Sequence, residues 1–301
     1  MIVFGAVAVA NGDPRAALRA SCPNCDQSAY DRLEELYDLD QPIPLRYASW
    51  AGDVVFEQDL GTSTSQGERP VNEIFWERFG NTMLLAVPSF FLMAILALLL
   101  SVYQALRQYS AGDYMLTGLT YFGLSMPTFF FGLVLQSIVI AVNNQWGLKP
   151  FWTQGLHLES FGQFLASVTL PTITLILILV AGESRFGRTS MLEIKNSDYV
   201  RTARAKGLSE RRVVFRHMLR NALIPLVTLW AIDFGSLLGG AVITESVFSW
   251  PGLGRLLLDG IFAGDLDVVM AVVTALAVLA VVFNLLADLL YGVLDPRIRL
   301  D

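Results

Sequence analysis

The sequence predicts an all-α integral membrane protein, and three observations carry that expectation. Apolar residues make up 54% of the 301 positions and charged residues only 16%, with a positive mean hydropathy. That balance suits a polytopic helical membrane body better than a soluble domain. Five long apolar runs follow an acidic N-terminal region: Asn81 to Leu106, Tyr114 to Val142, Phe164 to Gly182, Leu223 to Thr244 and Val268 to Leu294. Each is long enough to cross about 30 Å of hydrocarbon. The charges are also segregated. Between Gly182 and Asn221 stand ten basic and four acidic residues, a local charge of +6 in a chain of net charge −6.

Taken in order, Met1 to Ala10 is apolar but only ten residues long, roughly 15 Å as a helix and about half a bilayer. It reads either as a signal peptide lacking a basic start or, preferably, as the back end of a first transmembrane helix truncated in this numbering. Asn11 to Arg78 holds thirteen acidic and six basic residues, which places it on the extracytoplasmic side. Within it Tyr30 to Tyr37 reads as a short amphipathic helix, broken by Asp40 to Pro44, and Gly61 to Gly67 reads as a turn. Cys22 and Cys25 are the only two cysteines. On the oxidising side they could form a small disulfide loop, a redox pair or half a metal site. With no second pair and no nearby histidine, a local disulfide or two thiols is the simplest reading.

Alternation through the five runs puts Arg107 to Asp113 inside, Asn143 to Gln163 outside, the basic loop inside, Phe248 to Asp267 outside and the C-terminus inside. Outside loops after Asn81 carry only Lys149 and Arg255 as basic residues, as the positive-inside rule requires. Pro88, Pro127 and Pro171 fall in or at the ends of apolar runs, where neighbouring helices can satisfy the backbone groups they release.

The basic loop has internal order. Asp198 to Lys206 is rich in helix formers and meets Gly207, the residue type that ends helices in the left-handed conformation. Ser209 stands where it could cap a second helix, with Val214, Phe215, Met218 and Leu219 as an apolar stripe. Arg211, Arg212, Arg216 and Arg220 take the other face. Pro225 and an apolar run follow. The expected product is a stiff two-piece element lying against the cytoplasmic membrane surface.

These residues resemble the coupling loop of the membrane permease subunits of binding-protein-dependent ABC importers. That family's loop reads Glu-Ala-Ala, three residues, Gly, and later an apolar residue before Pro. In this register Arg201, Thr202 and Ala203 take the first three places, then Gly207, with Ile224–Pro225 at the end. Only Ala203, Gly207 and Pro225 match strictly. The arginine in the glutamate place and the long Gly-to-Pro interval resemble the dipeptide, oligopeptide and nickel branch. Gly12–Asp13–Pro14, Leu39–Asp40 with Pro42, and Asp59 to Ser63 also resemble that branch, so the likeness runs from Gly12 to Arg299.

The resemblance implies a six-transmembrane-helix permease fold. It divides the chain into a first-helix remnant (1–10), an extracytoplasmic region (11–78) and a permease domain (79–301) with a coupling loop over 187–222. It implies that the short helix including Tyr199, Arg201, Thr202, Ala203, Arg204, Ala205, Lys206 and Gly207 seats in a cleft of an ATPase subunit. The implied partners are a second permease chain, two cytoplasmic ATPases binding ATP and Mg, an extracytoplasmic binding protein, and lipid in a prokaryotic cell membrane. The implied cargo is a di- or oligopeptide, with nickel complexes second. Read without the family, a basic loop is more simply held by anionic headgroups.

Within the apolar runs, Gly235 and Gly239 make a G-x-x-x-G pair and Ser236 and Gly240 a parallel small pair. Such faces permit close helix approach, as moving interface or static packing. Asp233, Glu245 and Asp288 are ionisable groups in or near the membrane. Asp233 lies deepest and is the candidate for a pathway or subunit interface; Glu245 and Asp288 sit nearer helix ends. His157 and His217 suggest no special chemistry. The turn Phe248 to Gly254 could meet a docking protein or gate the outer mouth. No phosphate loop of the G-x-x-x-x-G-K-[ST] type occurs, so any ATP would be hydrolysed by another chain. Neither H-E-x-x-H nor G-x-S-x-G is present, and nucleic-acid binding has no support. An ion-coupled secondary transporter using Asp233, or a non-transporting scaffold, are the competing classes.

Overall fold

The computed structural model describes residues 2–10, 40–147 and 150–294. Gly12–Asp13–Pro14, Cys22, Cys25, the expected helix Tyr30 to Tyr37 and the C-terminal segment lie outside them. In chain order the helices are α1 (Ile2–Ala10), α2 (Ile43–Gly52), α3 (Val71–Leu106), α4 (Ala111–Ser125) and α5 (Thr128–Trp146). Then come α6 (Phe161–Lys195), α7 (Asp198–Ala205), α8 (Leu219–Val247), α9 (Leu253–Ala263) and α10 (Leu266–Leu294). A helical turn Glu210–Arg212 and a π-helical turn Val213–Met218 lead into α8. Among the described residues, five helices are long and apolar enough to cross a membrane.

The chain forms two compact units. One takes the chain up to Gly80 together with Gly252–Ala275. In it, Phe4, Leu266 and Met270 pack with Ile43, Tyr47 and Trp50. Pro44 sits in the first turn of α2, where its missing N–H has no helical partner to lose. The expected turn forms: β1 (Thr62–Ser63) pairs antiparallel with β2 (Arg69–Pro70). Gly61 sits at φ +87°, and a Cβ there would collide with the Asp267 carboxylate. Asp265, fully buried, accepts from Ser63 Oγ at 2.6 Å, Ser65 Oγ at 2.8 Å and Ser65 N at 3.0 Å. One carboxylate thereby fixes the whole turn.

The other unit comprises Asn81–Pro251 and the chain from Leu276. Helix α6 is its centre, packing against α4, α5 and α8. At 35 residues it is about 50 Å long, well beyond the hydrocarbon thickness. It continues past the apolar run ending at Gly182 because Ser184, Gly187 and Met191 prolong its buried stripe at helical spacing. Likewise α3 starts ten residues before Asn81: Val71, Ile74 and Phe75 are buried at i, i+3, i+4 behind Pro70. Hydroxyls inside these helices fold back on the preceding turn, as Ser101 does on Ala97 O and Thr174 on Leu170 O. That removes polar groups that lipid could not satisfy. Ser89 and Thr172, each next to a proline, join α3 to α6 at 3.1 Å.

The apolar stretch Tyr114 to Val142 is not one helix. Met126 is extended (φ −94°, ψ 130°) before Pro127, as a residue preceding proline tends to be, and the chain divides there into α4 and α5. The Phe248 to Gly254 turn is also not a displayed surface. Phe248 and Trp250 are buried, and Trp250 Nε1 donates to Asn81 O at 2.8 Å. Asn81 Nδ2 returns a bond to Pro251 O at 2.9 Å. Glu245 is fully buried and accepts from Thr82 Oγ1 at 2.8 Å. Asp288 is exposed.

Candidate functional site

Helix α7 forms where the sequence places it, one turn earlier than Arg201. Asp198 lies in its first turn and Arg204 in its last, charges that complement the helix dipole. Gly207 adopts φ +75° with open space around its Cα. Glycine is favoured there by conformation rather than by crowding. Leu208 N reaches back to Ala203 O at 3.4 Å and Gly207 N to Arg204 O at 2.9 Å, closing the helix end. Ser197 and Ser209 stand at the N-cap positions of their helical segments, but neither side chain makes the cap bond. Ser197 Oγ donates to Ile194 O instead.

The back of α7 is apolar and anchored. Val200 and Ala203 join Ala105, Met191, Val213, Val214, Met218 and Ala222 in one buried cluster. Burial of a side chain such as Val200 contributes about 1.5–3 kcal/mol. The front is different: Tyr199, Arg201, Thr202, Ala205, Lys206 and Gly207 are exposed. Arg204 is turned inward to the loop, held by Glu210 through Nη2–Oε1 at 2.7 Å and Nε–Oε2 at 3.1 Å. This hydrogen-bonded carboxylate raises the already high guanidinium pKa. Arg204 therefore braces the loop, whereas Arg201 and Lys206 point out.

The second piece departs from the expected amphipathic helix. It is not a separate rod, since the π-helical turn runs straight into α8. A π turn carries one residue more than an α turn and so rotates the face that follows. Val213, Val214 and Met218 go inward, while Phe215 is 59% exposed. Phe215, Arg211, Arg212 and Ser209 line a shallow cleft.

Two hydrogen bonds from the last turns of α6, just before α7, tie it to the neighbouring helix ends. Lys195 Nζ donates to Ala105 O at 3.0 Å, capping the end of α3. Ser190 Oγ donates to Ala222 O at 3.3 Å, joining α6 to the start of α8. Just above, Ser101 Oγ bonds Ser184 O at 3.1 Å. Gly187 lies so close to Ser101 that a Cβ would overlap its hydroxyl. The buried back of α7 thus packs on the ends of α3, α6 and α8 through Ala105, Met191 and Ala222.

Deeper in the same helices Asp233 of α8 faces Glu183 of α6, with the Trp230 indole beside them. Glu183 is 8% exposed, and its Oε2 and Trp230 Nε1 have no hydrogen-bond partner. The sequence points to Asp233, whereas Glu183 falls among the charges of the basic segment; its signal is an isolated carboxyl one residue beyond an apolar run. Gly235 packs against α10, where a Cβ would meet Phe283 Cβ at 3.1 Å. Gly239 has nothing so close and Ser236 is exposed. Only the first half of the G-x-x-x-G pair thus makes a tight helix contact. Among the described residues no cluster suited to a metal ion occurs.

The chain resembles known proteins in sequence and in fold. The family described as binding-protein-dependent transport system inner membrane component matches residues 97–300. The chain is 39% identical over 303 residues to the oligopeptide transport system permease protein AppB of Bacillus subtilis, covering 99% of this chain and 93% of that one. It is 36% identical over 322 residues to the dipeptide transport system permease protein DppB of Escherichia coli, with 99% and 93% covered. It is 34% identical over 296 residues to the oligopeptide transport system permease protein OppB of Mycobacterium bovis, with 96% and 90% covered. Among solved structures, an inward-facing MetNI methionine ABC transporter chain superposes with a TM-score of 0.61 at 16% identity. That superposition covers 74% of this chain and 97% of that one, and it establishes the shared fold. The chain belongs to the family of binding-protein-dependent transport system inner membrane components.

Proposed function

We propose that this chain is one permease subunit of an ATP-driven importer and forms half of a membrane pathway for di- or oligopeptides. The relatives named for oligopeptide and dipeptide transport support the cargo. The observation that carries the mechanism is the two-sided α7: a buried back joined to three helix ends and an exposed front of Tyr199, Arg201, Thr202, Ala205 and Lys206. Such a unit suits transmission of force from a soluble partner, because its back is packed on those helices. In this reading α7 lies on the cytoplasmic side and seats on an ATPase subunit that binds ATP and Mg. A second, similar permease completes the pathway, and an extracytoplasmic binding protein delivers the peptide. Closure of the two ATPases on ATP drives the pathway to open outward, and hydrolysis returns it.

The test is uptake by the complete complex in proteoliposomes. Wild type should import peptide only with ATP inside the partner-facing compartment. Gly207→Val forces a β-branched residue into a left-handed conformation at a cost of about 1–2 kcal/mol. It should insert normally and lose most ATP-dependent uptake. Full uptake by this variant would remove the coupling role from α7.

The paired carboxyls Glu183 and Asp233 favour one second reading, an ion-coupled transporter. It requires uptake driven by a proton or sodium gradient without ATP. Uptake that follows ATP and ignores the gradients excludes it.

A further inference from the structure

Helix α4 is set apart from the other apolar helices of its unit. The Met126–Pro127 break separates it from α5, and its 15 residues reach about 22 Å, less than the hydrocarbon thickness. A half-span ending at a proline break can pivot without bending a continuous helix. What α4 follows depends on what grips it.

α3 touches it through Gln104 Nε2, which donates to Thr117 Oγ1 at 3.2 Å, and the charged grip comes from α6, on the stretch just before α7. Arg188 Nη2 donates to Asp113 Oδ2 at 2.8 Å, and the side chain of Asp113 is only 3% exposed. The same oxygen accepts from Tyr109 N at 2.9 Å, while Asp113 N bonds Ser110 Oγ at 3.2 Å. Asp113 is therefore both the N-terminal fastening of α4 and the socket for Arg188. One turn away on α6, Arg185 Nη2 donates to Tyr121 Oη at 3.1 Å, and the guanidinium lies 4.4 Å from that ring's centre. Further along, Gly123 of α4 approaches the Leu177 side chain of α6. The three contacts run in antiparallel order along one face of each helix. Arg188 Nε and Asp113 Oδ1 are buried without hydrogen-bond partners. The pair is thus joined by one of the two bonds a guanidinium and a carboxylate can make. A small rotation of α6 can change this geometry without breaking the link.

We infer that Arg188 is a positioning residue that makes α4 follow the coupling element, so that α4, pivoting at Met126–Pro127, opens and closes the translocation route. This rests on the transport function proposed above. Arg188 holds α4 from the same segment of α6 that Lys195 and Ser190 fasten to α3 and α8. A push on α7 then reaches α4 through a charged, buried contact rather than through lipid-facing surface.

The experiment compares wild type, R188Q, R188M and R188K in the complete complex in proteoliposomes, reading ATP hydrolysis and peptide uptake together. Asp113 is left intact because it also fastens its own helix. R188Q should hydrolyse ATP at near the wild-type rate yet need roughly tenfold more ATP per peptide imported, a size within the range of single-residue effects on coupling. R188K keeps a positive charge on the single bond to Asp113 and should restore the wild-type ratio. An unchanged ratio in R188Q overturns the inference, as does R188K behaving like R188Q. If R188Q does not assemble, R188M is read in its place; if neither assembles, Arg188 serves folding alone and the inference falls. Wild type failing to import with ATP would refute the transport reading itself, a result separable from any of these.

Discussion

Gly61 shows how a single atom can fix a conformation. It combines a left-handed φ with contact against Asp267, so any Cβ meets both penalties at once. Gly61→Ala should destabilise the β1–β2 turn by about 1–3 kcal/mol, read as earlier thermal unfolding or faster proteolysis near residue 61. Asp265 makes the complementary case. Asp265→Ala removes three hydrogen bonds that hold Ser63 and Ser65 in the turn. A loss of about 2–4 kcal/mol is expected, and a thermal midpoint equal to wild type would contradict the pinning. Gly207 differs from both, because its neighbourhood is open. Gly207→Ala should therefore be milder than Gly207→Val in uptake. Of these three glycine and aspartate roles, only that of Gly207 was legible in the sequence, since a helix-ending glycine after a run of helix formers has a local cause. Gly61 and Asp265 depend on a partner some two hundred residues away, and no local pattern reports that.

At the scale of elements, apolar run length recovered the five spans because lipid demands it. It failed where packing, not lipid, sets the helix end. Helix α6 continues for thirteen residues past Gly182 on a buried stripe of small and apolar residues that the surrounding charges hide. The reverse occurs at Met126–Pro127, where unbroken apolarity concealed a helix end. α-Helical spacing places Phe215 inward, whereas the π turn buries Val213 and leaves Phe215 exposed. Close contact of α3 with α6 rests on Gly187. Gly187→Leu should force the two helices apart and lower the stability of the assembled unit by about 1–3 kcal/mol, in line with overpacked cores. Detergent stability of the purified complex measures it, and an unchanged midpoint would mean that the contact relaxes freely.

For the molecule as a whole, charge segregation and apolar runs pointed to a polytopic helical body, and the chain's family membership agrees. Helix α7 joins two properties the sequence shows only separately: a basic, charged front and an apolar back packed on the membrane helices. The carboxyl pair between α6 and α8 escaped because it needs two helices to be seen. The central claim is that the exposed front of α7 seats on an ATPase. The most direct measurement places a photo-crosslinking amino acid at Arg201 in the assembled complex within native membranes. The expected result is a single major adduct with an ATPase subunit whose yield changes when ATP is added. Adducts with lipid alone, or labelling of position 201 from the extracytoplasmic face, would contradict it.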